Sequence, residues 1–225
     1  MTRRRAARAG AAGLAALLVV AAVLAGGCRT AYYAAWEKLG SEKRDLLRSD
    51  VADMKEQQQE TKEEFEDALE KLRALYGSSG SDLEKRYDAL RAEYEDCEGE
   101  AADLRRRMEE VRTVARDLFE EWESEIESME NASFQRQSRA KLAATRKRFE
   151  GLDTAMRRSE ESLDPVLRQL RDHVLFLKHN LNAQSLGQLE GEVGRIDKGV
   201  AELVERMQRS IGEADAFLTS LERAS

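Results

Sequence analysis

The chain has one proline in 225 residues, and aromatic residues make up only 6% of it. Sheet proteins draw on turn residues and on aromatic and β-branched strands, so this scarcity argues against a sheet. Two cysteines, Cys28 and Cys97, are too few for a disulfide framework. The only histidines are His173 and His179. With two cysteines so far from them, no zinc pattern is available. No basic block interrupts the chain, and its pI is near 5.2, which argues against a nucleic-acid partner. No Ser/His/Asp, Cys/His or phosphate-loop arrangement is present. A protein that is not an enzyme, with no cofactor and no metal, is the expectation.

What the chain does have is charge and period. It is 36% charged and 41% hydrophobic, rich in Ala, Glu, Leu, Arg and Asp. Apolar residues recur at alternating steps of four and three, which points to long helices and coiled coils. The expected fold is all-α: a long antiparallel coiled coil closed into a four-helix bundle, without a sheet.

The N-terminus differs from the rest. Arg3, Arg4, Arg5 and Arg8 precede an uninterrupted apolar run from Leu14 to Leu24. That run has the length of a signal-peptide core, and Ala25, Gly26 and Gly27 are small, as a cleavage site requires. Counted from Ala9 to Gly27 the apolar stretch is also long enough to approach a membrane span. Cys28 favours cleavage, because "LAGGC" resembles the lipobox of bacterial lipoprotein signals. Ala25 stands where that motif usually has leucine, and Leu24 is one place earlier. The resemblance implies lipidation of Cys28, with a membrane anchored through its acyl chains. Arg29 in place of aspartate implies the periplasmic face of the outer membrane. Cleavage removes four arginines and no acid, which takes the formal charge from −7 to −11. The expected organisation is a signal peptide over 1–27, a lipidated membrane-proximal segment over 28–41, and a helical bundle over 42–225.

Four helical blocks follow. The first covers about 30–76, with a clear seam through Leu47, Val51, Met54, Gln58, Thr61, Phe65, Ala68, Leu72 and Leu75. "GSSGS" at 77–81 is a loop. The second runs from Leu83 through Tyr94, Cys97, Leu104 and Val111 to Trp122, with a stutter before Met129. A tight reversal is expected at 131–133, where Asn131 tolerates a left-handed conformation and Ser133 can cap. The third block, 134–181, keeps phase through Pro165, so a kink and not a boundary is expected there. "NLNAQS" breaks it, Ser185 is the expected cap, and the fourth block steps Leu203, Met207, Ile211, Ala214, Leu218, Leu221, with a second stutter near Met207. Residues 117–130 hold seven acids and no base, and residues 134–148 hold six bases and no acid. A reversal between them lays opposite charges side by side.

Several residues invite a chemical reading. His173 and His179 point about 120° apart on one helix and cannot share a metal. His173 sits on the seam and reads as a packed histidine. Cys97 is a seam residue too, read as a buried thiol, with an intermolecular disulfide as the alternative. Gln58, Thr61, Ser138, Thr145 and Ser159 are polar seam positions that would specify register at some cost in stability. Glu63, Glu64, Glu66 and Asp67 lack the tight loop of a calcium site and read as a solvated face.

The stretches "AYYAAWEKLGSEKRD", "DLEKRYDALRAEYEDCE", "LFEEWESEIE" and "DPVLRQLRDHVLFLKHNLNAQSLGQL" resemble a family of small bacterial coiled-coil proteins. That family often carries lipoprotein signals and is catalogued as a domain of unknown function. The resemblance covers nearly the whole chain after Cys28 and implies the helical fold and export, but no activity or catalytic residue. Contact with a protein partner, as an envelope adaptor or spacer, is the expected mode of action. A periplasmic carrier or chaperone for an apolar client is the alternative.

Overall fold

The computed structural model describes residues 43–76, 83–180 and 183–224, with side chains for 43–76, 83–180 and 191–222. The signal segment, Cys28, the start of the first block and the "GSSGS" loop lie outside the described residues. The chain divides into two units, Met1–Leu46 and Leu47–Ser225. Of the first, only the opening turn of a helix at 43–46 is described. The second is a bundle of helices, with no strand among the described residues.

Four helices make up the described chain: α1 Lys43–Tyr76, α2 Leu83–Ser128, α3 Ala132–His179 and α4 Ala183–Ala224. At 1.5 Å per residue, the longest is about 70 Å. Each is dominated by strong helix formers and carries one apolar stripe. The α1 seam is buried from Leu47 through Leu75 without an exception, including its polar members Gln58 and Thr61. Contacts between helices fix the directions. Asp53–Arg107 and Lys71–Glu93 join α1 to α2, and Arg112–Asp153 and Arg105–Asp164 join α2 to α3. Val166–Gly199 and Arg158–Arg206 join α3 to α4, and Lys55–Asp215 and Arg73–Asp197 join α1 to α4. Each couple runs in opposite sequence order. Sequence neighbours are therefore antiparallel, and α1 lies against α4, which closes an up-down-up-down arrangement.

The reversal falls where expected, but by a different mechanism. Asn131 is the cap, in extended conformation at φ −81° and ψ 107°. Its Oδ1 accepts from Ser133 N at 2.9 Å and Phe134 N at 3.2 Å. Neither the left-handed residue nor the Ser133 cap is used. Across the turn, Gln135 Nε2 donates to the Ile126 carbonyl at 3.2 Å, supplying an acceptor of the last α2 turn with a partner. The predicted pairing of the flanking charge runs centres on Arg146. Its guanidinium bonds Glu123 at 2.8 Å and the Phe119 carbonyl at 3.2 Å, and lies 5.7 Å from the Phe119 ring.

Helix α3 runs unbroken through Pro165 and ends at Asn180, with Lys178 and His179 in its last turn. Helix α4 begins at Ala183, so Ser185 is its third residue and not its cap. The α4 stutter is also absent. The seam runs through Ile196, Val200, Leu203, Met207, Ser210, Ala214, Phe217 and Leu221, all buried, an unbroken alternation of four and three, with Ser220 buried beside it. Ile211 and Leu218 are only half-buried, because Ser210 and Phe217 occupy the seam in their place.

Helices α2 and α3, and α3 and α4, approach one another closely along their lengths. The α3–α4 gap is narrowest at Gly199. A Cβ there would lie 3.2 Å from both Val166 Cγ2 and Gln169 Oε1. Phe119, Phe149 and Phe217 stack edge to face across α2, α3 and α4, with centroids 5.7 and 5.6 Å apart. Helix α1 is tied to α2 by Cys97 Sγ, 3.6 Å from the Glu64 carbonyl, and to α4 by the Gln58–Ser210 bond.

Candidate functional site

The unusual chemistry collects around α1. On the side facing α4, Gln58 is wholly buried and donates from Nε2 to Ser210 Oγ at 2.9 Å. Its Oε1 is buried without a partner, as is Ser159 Oγ on α3. The Arg206–Arg158 carbonyl bond sets α4 against α3 in register, so Ser159 is level with about Glu205, five residues or roughly 7.5 Å along the axis from Ser210. Thr61, one turn along α1, turns its hydroxyl back onto the Gln57 carbonyl at 2.7 Å. Gln58, Thr61, Ser159 and Ser210 thus form a polar layer inside an otherwise apolar core. The expected polar seam at Gln58, Thr61, Thr145 and Ser159 is buried. Ser138 is half-buried and accepts from Trp122 Nε1 at 2.8 Å.

On the side facing α2, carboxylates dominate. Burial first, then the neighbouring Glu93 carboxyl and the charges of Asp96 and Asp67, push the Glu64 carboxyl up to about 7. Asp50 is pushed up to about 6, chiefly by burial, with Glu110 and Asp53 adding to it and Arg107 opposing. Between them Gln57 hydrogen-bonds Glu100, a carboxyl also raised by burial and by Glu60 and Asp103. The cations of this seam are Lys71, 3.7 Å from Glu93, and Arg107, 3.8 Å from Asp53. Glu63, Glu66 and Asp67 are exposed, as a solvated face requires, and Glu64 is half-buried at the edge of the α1–α2 interface. Among the described residues, no three His, Cys, Asp or Glu side chains converge as metal ligands do.

Cys97 lies under this seam, fully buried and unpaired, with its thiol 3.6 Å from the Glu64 carbonyl. Burial first, then the surrounding carboxylates, push the thiol far above its ordinary range. Such a thiol is inert while α1 is seated. At the end of α1, Tyr76 and His173 Nδ1 share a hydrogen bond of 2.8 Å, with the rings edge to face. Burial holds the His173 imidazole below its usual pKa, and Glu192 and Asp172 oppose that. His173 is thus a packed residue with a phenol partner that the heptad pattern did not supply.

Two open grooves run between helices. One, of about 500 Å³, is floored by Leu69, Val200 and Val204 between α1 and α4, with Arg73 and Asp197 paired at its rim. The other, of about 610 Å³, lies between α3 and α4 over Gly151 and Ala155, edged by Lys147, Arg158 and Arg206. Phe134, at the α2–α3 turn, is 63% exposed. Among the described residues, no helix is long and apolar enough to cross a membrane.

A family described as "Protein of unknown function (DUF2959)" matches residues 32–221. The chain belongs to this family. The DUF2959 match takes in all four helices up to the last turn of α4, so the polar layer, the carboxylate seam and the Tyr76–His173 pair all lie within it. Cys28 lies before it. No curated protein matches the chain.

Proposed function

We propose that this DUF2959 protein is anchored by acyl chains on Cys28 at the periplasmic face of the outer membrane. There it acts by protein–protein contact, as an adaptor or spacer of an envelope assembly. The observation that carries the reading is the order of the chain: a basic start, an apolar core and "LAGGC", followed directly by a bundle of charged helices. Two or three acyl chains give stable anchoring where one is marginal. An acidic bundle stays soluble and is not drawn to anionic lipid by charge. The unpaired Gln58 carbonyl buried between α1 and its neighbours favours a second reading, a carrier or chaperone whose bundle opens to hold an apolar client.

Cys28→Ser should abolish metabolic labelling with palmitate and leave unprocessed precursor. Equal labelling in that variant sinks the anchor. Crosslinking in native membranes, followed by affinity purification, separates the two roles. One stoichiometric partner supports the adaptor, and a spread of unfolded clients supports the carrier.

A further inference from the structure

The tip of the α2–α3 hairpin carries a charge pattern that its own helices do not use. Residues 117–130 hold seven acids and no base, and residues 134–148 hold six bases and no acid. A helix favours bases in its last turn and acids in its first. The last turn of α2 has no base and the first turn of α3 has no acid. Pairing across the hairpin would offset that cost, and Arg146 does reach Glu123 at 2.8 Å. Yet Glu120, Glu127, Glu130, Arg136, Arg139 and Lys141 have no ion-pair partner among the described residues, and all six are exposed.

The placement of these charges is regular. Glu120, Glu123 and Glu127, at steps of three and four, share one face of α2. The Trp122–Ser138 and Gln135–Ile126 bonds fix the levels of the two helices. Each acid then lies within a turn of the height of a base on α3: Glu120 of Lys141, Glu123 of Arg139, Glu127 of Arg136. The tip also stands clear of α4, whose last residue, Ala224, comes level with about Lys141 by the Arg158–Arg206 and Val166–Gly199 contacts. From 132 to 140 only Gln135 and Ser138 are even half-buried, and Phe134 is 63% exposed.

We propose that the hairpin tip is a self-docking surface: a second copy of this chain seats on it in parallel, acidic α2 face on basic α3 face. A basic partner would match α2 and leave α3 unmatched, and an acidic partner the reverse. A second copy matches both with one surface. Half a turn about an axis along the hairpin exchanges the two helices and keeps their levels, so each acid faces a base and the Phe134 side chains come to one height. The face is two helices wide and about 20 Å long, roughly 400 Å² per copy. That is about half of a standard interface, so the contact is weak and depends on its charges. Salt should loosen it, because exposed charges are screened beyond about 10 Å at 0.1 M and about 3 Å at 1 M.

The test is energy transfer between two pools of full-length protein in detergent, one with a donor and one with an acceptor on a C-terminal tag. For the wild type, the concentration giving half-maximal transfer should rise on the order of tenfold between about 50 and about 500 mM salt. Glu120→Lys/Glu127→Lys and Arg136→Glu/Lys141→Glu should each show only the high-salt level by themselves. Mixed with each other, the two should regain transfer at low salt, because every reversed charge then meets its opposite. Both variants place charge as helix ends favour it, so their melting temperatures should not fall. If either pair does not fold, Glu127→Lys and Arg136→Glu alone make the comparison. Wild-type transfer no higher than that of the separate variants, or no gain on mixing them, overturns the docking surface. Neither outcome touches the anchor at Cys28.

Discussion

Replacing Gln58 with leucine should make the bundle more stable. The amide is fully buried, one end bonds Ser210 and the other bonds nothing. Removing an unpaired buried carbonyl recovers about 1–3 kcal/mol of desolvation, while losing the Ser210 bond costs about 1 kcal/mol. The Ser210 hydroxyl is not stranded, because a helical serine can turn to the carbonyl four residues back. Leucine has nearly the same volume and is apolar throughout, so Gln58→Leu should gain about 1–2 kcal/mol net. Gln58→Ala should go the other way, by about 2 kcal/mol, because it opens a cavity. In urea, with a slope of about 2 kcal/mol per molar, the leucine variant's midpoint should rise by about 0.5–1 M at an unchanged slope. A cycle with Ser210→Ala should return a coupling near 1 kcal/mol. A leucine variant weaker than wild type by more than about 1 kcal/mol would refute the reasoning and mean that the Gln58 carbonyl is satisfied in solution.

Three further outcomes are expected. Arg112 joins α2 to α3 through Asp153 at 2.9 Å and Glu160 at 2.8 Å and is mostly buried, so Arg112→Ala should cost about 2 kcal/mol in the same urea assay. A histidine held neutral by burial contributes stability above its ordinary pKa of 6.5 that is lost as pH falls toward the depressed value. An NMR titration should therefore place His173 below 6.5, and Tyr76→Phe should cost about 1 kcal/mol at pH 7.5 by removing its hydrogen bond. Gly212 and Gly99 have nothing within 4 Å of an added Cβ, so Gly→Ala at either should gain about 0.5–1 kcal/mol by thermal melting. Gly199→Ala should fail to deliver that gain, because its Cβ presses on Val166 and Gln169.

The four helices and their reversals are legible in the sequence because the core period is strict. In α1 every seam residue from Leu47 to Leu75 follows the alternation, polar ones included. The α4 seam is misleading for one reason. Ser210 is polar and its neighbour Ile211 is not, so apolar spacing favours Ile211, then Leu218 over Phe217, and creates a stutter that the fold does not have. What places Ser210 inside is the Gln58 amide, on a helix 152 residues earlier. Phe134 shows the opposite effect, since a large apolar residue beside the turn points out. At the reversal, position is legible and mechanism is not, because Asn131 can serve a turn or a cap equally well. The carboxylate seam is not legible at all. Its members flank the core positions, where a glutamate facing water and a glutamate facing another glutamate look the same in one sequence. Cys28 rests on the sequence motif alone.

The antiparallel order has a consequence for how the protein is made. Each of α2, α3 and α4 can pack on the helix just completed, by folding a local hairpin. The α1–α4 face cannot form that way: its ties, Lys55–Asp215 and Gln58–Ser210, join residues 160 and 152 positions apart. In a chain that leaves the ribosome or a translocation pore N-terminus first, α1 emerges earliest and finds its last neighbour latest. Through that interval its stripe of Val51, Met54, Phe65 and Leu72 has no α4 to cover it. The charge flanking that stripe, and the glutamine and threonine within it, then act before the fold exists. They keep the waiting helix soluble and make premature pairing with another copy's apolar stripe unfavourable.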